Sequence, residues 1–113
     1  MNIAAKSYKL ILLKLIFLVT FSLFYHASVF AEDSLYERGK QLVELKEYKK
    51  ALKAFELASK AGNLDSLTAL GVMYIGGIGV VQDNTKGFEY IKNAADQSDP
   101  KAQYTLGALY YLG

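Results

Sequence analysis

The chain has 113 residues, with no cysteine, one proline and one histidine. This length suits one small domain, and the lack of cysteine excludes disulfides and thiolate metal sites. The formal net charge is +2, from 13 basic and 11 acidic side chains.

The first 31 residues have the layout of a secretory signal. Three lysines and no acid precede an apolar core, "LIFLVTFSLFY". This core is short for a membrane span, which needs about 20 residues. Val29 and Ala31 lie three residues and one residue before a predicted cut after Ala31. We therefore predict a cleaved signal peptide over residues 1–31 and a periplasmic or secreted mature protein. An uncleaved signal anchor, with the protein held in the membrane, is the alternative.

The net positive charge of the chain comes from this segment. Residues 32–113 carry ten basic and eleven acidic side chains, a net charge of −1. The sequence therefore gives no support for nucleic-acid binding by the mature protein. The signal, together with twelve lysines against one arginine, favours a bacterial source.

Helical spacing and helix-end signals predict five helices, over residues 34–45, 48–61, 65–75, 84–97 and 100–112. Asp33 or Ser34 is expected to cap the first helix, Asp65 the third and Asp83 the fourth. The clearest start is Asp99 followed by a proline, because proline suits the first helical position.

Short segments of the chain recur in a helical frame. The stretch "LGVMY" returns as "LGALY", which pairs Gly71 with Gly107 and Tyr74 with Tyr110 at an offset of 36 residues. Gly39 corresponds to Gly71 at an offset of 32, so the first unit has a shorter loop. Each of these glycines lies on the apolar face of its predicted helix. A small residue at that position lets a neighbouring helix approach closely. The two tyrosines are expected to pack between helices.

The glycine-rich segment "GGIGVV" between two of the helices has two interpretations. A phosphate-binding loop needs a Gly-Lys-Ser/Thr ending, or G-x-G-x-x-G spacing after a strand, and neither is present. A β-hairpin would break the helical frame. We therefore expect Gly76, Gly77 and Gly79 to supply positive φ angles in a helix-to-helix turn. The isoleucine and valines of the loop should pack against the core.

The order and spacing of these residues over 69–113 resemble the Sel1-like repeat. The matching positions are Leu70, Gly71, Tyr74, Gly77, Gly79, Val80, Asp83, Lys86, Tyr90, Ala94, Ala95, Ala102, Leu106, Gly107 and Tyr110. Residues 34–63 are more similar to a tetratricopeptide-type hairpin with the shorter loop "LKEY".

The resemblance implies an all-α fold, an α-solenoid of helix-turn-helix hairpins with about two and a half repeats. Repeat 1 is assigned to residues 32–63, repeat 2 to 64–99, and the first helix of an incomplete repeat 3 to 100–113. We expect a short or truncated member of the family, whose last helix leaves Leu106, Leu109 and Tyr110 partly uncovered. Self-association through this last helix would cover them.

The resemblance also implies binding to other proteins on a concave surface, lined by the first helix of each repeat. By helical phase, the expected lining residues are Tyr36, Lys40, Thr68, Val72, Tyr104 and Tyr111. Packing between helices is the alternative role for these tyrosines. We predict an exported adaptor for protein–protein interaction, without catalysis, metal or cofactor, and with a membrane-anchored scaffold as the alternative.

A secreted hydrolase of the β-lactamase-like type is a second alternative, because cysteine-rich Sel1-like proteins are associated with that activity. It is disfavoured because this chain has no cysteine. Its acids Glu56 and Asp96 are isolated on faces that we expect to be solvated. The predicted partners are therefore proteins, not nucleic acids, and the membrane is contacted only if the signal is retained.

Overall fold

The computed structural model describes residues 2–113, and these residues form helices and no strands. The five helices are α1 (Asn2–Glu44), α2 (Tyr48–Lys60), α3 (Leu64–Gly76), α4 (Asn84–Asp96) and α5 (Pro100–Leu112). The chain divides into two compact units, one ending at Phe30 and one beginning at Ala31. The helices of the second unit pack as helix-turn-helix hairpins, which confirms the predicted all-α solenoid.

Helix α1 begins at Asn2, well before its predicted start. No glycine or proline interrupts the chain before Gly39, and leucine, alanine and lysine are good helix formers. The predicted cap at Asp33 or Ser34 is therefore wrong, because both residues lie inside the helix. By length and composition alone, α1 is long and apolar enough to cross a membrane, a test that a signal sequence near the N-terminus also passes.

Helices α3, α4 and α5 each begin with a side-chain cap. Asn63, Asp83 and Asp99 accept hydrogen bonds from the backbone N–H three residues on, at 2.8, 3.0 and 3.1 Å. The predicted caps at Asp83 and Asp99 are confirmed. Asn63, and not Asp65, caps α3 because Asn63 has the extended backbone that a cap requires.

The apolar core of the second unit consists of two clusters. The first joins α1, α2 and α3, and its buried members are Leu42, Ala51, Ala54, Phe55, Leu70 and Met73. The second joins α4 to α5, and its buried members are Ile91, Ala94, Ala95 and Ala102. Many of these residues are alanines, so the helix backbones lie close together and leave little room for larger side chains.

Glycines let the two helices of each hairpin pack closely, and between α3 and α4 they bring the backbones into contact. A Cβ atom at Gly71 would overlap Ile91 and lie 2.7 Å from the Gly87 carbonyl oxygen, while a Cβ at Gly87 would lie 2.6 Å from the Gly71 oxygen. Gly39 meets the aromatic ring of Phe55 on α2, which is a side-chain contact. The prediction of a close helix approach is therefore confirmed at Gly39 and Gly71.

The corresponding face of α5 is open. A Cβ at Gly107 would meet no atom within 4 Å. Tyr74 is buried and stacks on Tyr90 at 5.7 Å between ring centroids, whereas Tyr110 meets Phe88 edge-on and is still 65% exposed. The prediction that both tyrosines pack between helices is confirmed for Tyr74 and wrong for Tyr110, since Tyr110 lies on the open face.

The glycine-rich loop between α3 and α4 is a turn with two left-handed residues. Gly77 and Gly79 have φ angles of 63° and 70°. Gly76 does not, because α3 extends one residue further than predicted and includes it. Ile78 packs against the first core cluster as expected, whereas Val81 is exposed, so that part of the prediction is wrong.

Candidate functional site

The main concavity of the second unit is a groove of about 770 Å³. It is lined by the end of α1, the start of α2, the length of α3 and the loop that follows α3. Its apolar lining includes Tyr36, Val43, Tyr48, Ala69, Val72 and Ile78. A concave, mainly apolar surface with a few polar groups is typical of a binding site.

Helical periodicity explains why the lining residues of α1 and α3 face the groove. Tyr36, Lys40 and Val43 follow i, i+4, i+7 spacing, and Thr68 and Val72 follow i, i+4 spacing, so each helix presents one face to the groove. The ring of Tyr36 packs on Phe55, with 5.8 Å between centroids, which fixes its position at the core.

The loop after α3 closes against the start of α2 at Tyr48. A Cβ atom at Gly79 would lie 2.7 Å from the Tyr48 Cβ and 2.8 Å from its carbonyl carbon. Glycine therefore meets two requirements at this position, the positive φ and the contact with a neighbouring backbone. The same loop brings Ile78 into the groove.

Polar contacts at the groove tie α3 to the start of α5. The Lys101 ammonium donates to Asp65 at 2.8 Å, and the Thr68 hydroxyl donates to Asp99 at 3.3 Å. The hydrogen bond to Asp65, and then the charge of Asp65, raise the pKa of Lys101. Lys101 is therefore a cation at neutral pH, held beside the groove by its partner.

Lys40 contributes a second cation. Its ammonium donates to Glu37 at 3.0 Å and lies 5.3 Å from the centre of the Tyr36 ring, within the range of a cation–π contact. The hydrogen bond to Glu37 raises the pKa of Lys40. Among the lining residues, two lysines are balanced by Glu44 and Asp65. The lining thus has no net charge, and its binding capacity comes mainly from apolar contact.

Four of the six residues predicted to form the interaction surface line this groove: Tyr36, Lys40, Thr68 and Val72. Val72 is 46% exposed, so its side chain is accessible from solvent.

The structure does not bring the other two predicted residues into the groove. Tyr104 and Tyr111 lie on α5 and are 81% and 92% exposed. At the offset of 36 residues, Tyr104 has the register of Thr68, whereas Tyr111 has the register of Ile75, which packs against the second core cluster. The two tyrosines are seven residues apart, so by helical period they lie on one face of α5.

Val43, Tyr48 and Ile78 are among the lining residues that sequence reasoning missed. Val43 follows Lys40 by three positions on the same helix face, so the helical period was sufficient to find it. Tyr48 and Ile78 carried no comparable signal. They reach the groove only because the loop packs on α2.

The groups present give no support to catalysis. Among the side chains that the structure describes, no group of three or more His, Cys, Asp or Glu residues is arranged to hold a metal ion. Ser98 and Lys101 have Ser-x-x-Lys spacing, a pattern of some serine nucleophiles. Lys101 is protonated and bonded to Asp65, however, and a base that activates serine must be unprotonated.

A model of the Sel1 repeat matches residues 31–66, 64–99 and 100–113 of this chain. The chain belongs to the Sel1 repeat family. These matches include residues 31–66, so the first hairpin, which the sequence analysis compared to a tetratricopeptide-type unit, is matched as a Sel1 repeat.

This chain is also similar to a plant protein, the ERAD-associated E3 ubiquitin-protein ligase component HRD3B of Arabidopsis thaliana. The two are 47% identical over 45 residues, which is 39% of this chain and 8% of HRD3B. This chain therefore corresponds to a small part of that relative.

Proposed function

We propose that this Sel1-repeat chain is an exported adaptor that binds another protein and has no catalysis of its own. The observation that carries the proposal is the groove of about 770 Å³ between the first helices of successive repeats. Its apolar lining suits the apolar side chains of a protein partner, since buried apolar anchors supply most of the affinity of such interfaces.

The name of the plant relative is compatible with an adaptor. HRD3B is described as a component of an E3 ubiquitin-protein ligase, and a component works by contact with other proteins. We carry over only this general role, because the chain matches 8% of that protein.

We propose that the partner contacts Tyr36, Lys40, Thr68 and Val72. Tyr104 would extend the same surface along α5, because it has the register of Thr68. Tyr111, seven residues later on the same face of α5, would extend that surface further.

Substitution of an exposed groove residue tests this assignment. Val72→Glu places a carboxylate in the apolar lining, and Leu57→Glu makes the same change at a site on α2 outside the groove. The two positions are matched, because Val72 is 46% and Leu57 is 44% exposed. The readout is recovery of a protein partner by in-cell cross-linking with the tagged full chain.

The adaptor proposal expects one partner to be recovered by the wild-type chain and by Leu57→Glu, and lost with Val72→Glu. The melting temperatures of the two variants should agree, which excludes unfolding as the cause. Equal recovery with both variants would contradict a partner site in this groove.

We further propose that residues 1–31 are a signal peptide cleaved after Ala31, and that repeats over 32–63, 64–99 and 100–113 act in the periplasm or outside the cell. A membrane-anchored scaffold is the second candidate, and the length and apolar composition of α1 are compatible with both candidates. Both candidates leave the repeats free to bind a partner.

Fractionation with N-terminal sequencing separates these candidates. Cleavage predicts a soluble product that begins at Glu32 and leaves the membrane pellet after a carbonate wash. A full-length product that stays in the pellet would establish the anchored scaffold and overturn the cleavage site.

A further inference from the structure

Helix α2 and the turn before it carry half of the basic side chains of residues 32–113. Five lysines and two acids lie within residues 46–60, whereas the remainder of 32–113 has five basic and nine acidic side chains. The net charge is therefore +3 in this short segment and −4 outside it. The positive charge of the repeats is thus concentrated on one helix.

Three of these lysines form a line along the outer side of α2. Lys49, Lys53 and Lys60 follow i, i+4, i+11 spacing, which places them within about 40° of one another around the helix axis. The first and the last are about 16 Å apart along that axis. Ala51 and Ala58, on the opposite side of α2, are fully buried in the hairpin, and all three lysines are exposed. The lysine line therefore faces solvent.

The charge of the lysine line is not compensated within the hairpin. Among the side chains that the structure describes, α2 has one ion pair, between Lys50 and Glu47, and no member of the line forms another. Lys49 and Lys53 are one turn apart, and like charges at this spacing destabilise a helix. Lys49 also lies in the first turn of α2, where a cation opposes the helix dipole. The arrangement therefore costs stability.

The equivalent helix of the second hairpin shows that the fold does not require this arrangement. At the offset of 36 residues, the three lysines correspond to Thr85, Glu89 and Asp96 of α4, which are exposed as well. The same outer side is therefore neutral or acidic on α4. A solvated outer face can be built from either set of side chains, so the lysine line is a feature of the first hairpin and not of the repeat.

The charge of the lysine line suits an anionic partner, and its surroundings favour a short acidic segment of a protein. A bilayer holds a basic amphipathic helix by its apolar side, and that side of α2 is buried in the hairpin. A long polyanion would also meet the net charge of −4 on the rest of residues 32–113. A short helix of a partner would meet the lysine line alone.

We propose that the outer side of α2 binds an acidic α-helix of a partner protein. The carboxylates of that helix would lie one turn and three turns apart, which is the spacing of Lys49, Lys53 and Lys60, and would form charge-assisted hydrogen bonds with them. Charge complementarity of this kind supplies specificity and fast association more than affinity. None of the three lysines lines the groove, so this surface is separate from the groove and does not depend on it.

A designed peptide serves as the probe. It is a fluorescein-labelled helix of alanine and glutamine with three glutamates at i, i+4, i+11 spacing, and the control peptide has the same composition with its glutamates on three different faces. Binding is followed by fluorescence anisotropy against the full chain in an uncharged detergent. We expect saturable binding of the first peptide, about tenfold tighter than that of the control peptide. Added salt should weaken this binding, because it screens exposed charges.

Variants of the protein locate the contact. Lys53→Glu reverses the central charge of the lysine line and should weaken peptide binding about tenfold. Lys92→Glu is the matched control, because it makes the same change of charge at an exposed lysine of α4, and it should leave peptide binding unchanged. Both variants should keep the melting temperature of the wild type. Val72→Glu in the groove should also leave peptide binding unchanged, so failure of this proposal can be told apart from failure of the adaptor proposal.

Two results with the peptide would overturn the proposal. The first is the absence of saturable binding, or equal binding of the two peptides. The second is equal affinity of the wild type and Lys53→Glu for the first peptide. A dimer of the full chain in detergent, measured by light scattering, that Lys53→Glu dissociates would also overturn it, since a second copy would then cover this face.

Contact of α2 with lipid would overturn the proposal as well. Because the chain has no cysteine, Leu57→Cys provides one attachment point for an environment-sensitive fluorophore beside the lysine line, and Asn93→Cys provides the equivalent point on α4. We expect equal emission from each labelled variant in nanodiscs of phosphatidylglycerol and of phosphatidylcholine. A blue shift confined to Leu57→Cys in phosphatidylglycerol would show that a bilayer, and not a protein, takes this face.

Discussion

The same methyl group, added at two equivalent glycines, should change stability in opposite directions. Gly71 and Gly107 occupy the same register of α3 and α5. Gly71 faces Ile91 and the carbonyl oxygen of Gly87, whereas Gly107 faces open space. Gly71→Ala and Gly107→Ala therefore share the gain in helix propensity and differ only in what the new Cβ meets.

The expected sizes follow from these contacts. Replacing glycine by alanine inside a helix stabilises it by about 1 kcal/mol. At Gly71 the new Cβ would lie 2.7 Å from a backbone oxygen, which cannot yield without moving α4, so the overpacking penalty should reach about 3 kcal/mol. Gly71→Ala should thus lower the free energy of unfolding by about 2 kcal/mol, and Gly107→Ala should raise it by up to about 1 kcal/mol.

The measurement is thermal and urea unfolding of the full chain in detergent micelles, followed by circular dichroism at 222 nm. For a domain of this size, about 2 kcal/mol corresponds to a fall of roughly 8–16 °C in melting temperature. Gly107→Ala should show a rise of a few degrees. Since the two variants differ only in position, they control for each other.

The reasoning would be refuted by a Gly71→Ala protein as stable as the wild type, which would mean that α3 and α4 are not in backbone contact. It would equally be refuted if Gly107→Ala destabilised the protein as much as Gly71→Ala. In that case the α5 face would be packed, and the space seen at Gly107 would not exist.

Three further substitutions test the helix cap, the loop and the cleavage site. Asp99→Ala removes the α5 cap and should cost about 1 kcal/mol of unfolding free energy in urea, whereas Asp96→Ala, at an exposed position, should stay within about 0.5 kcal/mol of wild type. Gly79→Ala should cost about 2 kcal/mol in the same assay, because its φ of 70° is strained for alanine and the new Cβ would press on α2; a neutral result would contradict the left-handed turn. Ala31→Arg should block signal cleavage and leave a precursor on an immunoblot, while Phe30→Leu should be processed normally. Normal processing of Ala31→Arg would place the cut elsewhere.

The helices of the second unit could be predicted because their ends are marked by local chemistry. Asp83 and Asp99 act as caps at the predicted positions, and both ends of α2, α3, α4 and α5 fall within one residue of the prediction. The start of α1 could not be predicted in this way. Asp33 and Ser34 look like caps, but the helix-forming residues before them allow α1 to continue through both.

The candidate groove was only partly predictable. Helical period places Tyr36, Lys40, Thr68 and Val72 on the correct faces, because they lie within single helices. It does not reveal Ile78, whose position depends on how the loop after α3 packs on α2. Nor does it show that α5 would leave Tyr110 exposed, since the pattern of "LGALY" is the same as that of the covered helix.

The position of α3 among its neighbours has a consequence for hydrogen exchange. Helix α3 contacts α2, α4 and α5, and it buries residues along its whole length from Ser66 to Tyr74, whereas α5 fully buries only Ala102. Local opening is easiest where few buried contacts must be broken. Amide protons should therefore exchange slowest in the middle of α3 and fastest in the last turn of α5. The repeat array thus loosens progressively from α3 toward α5.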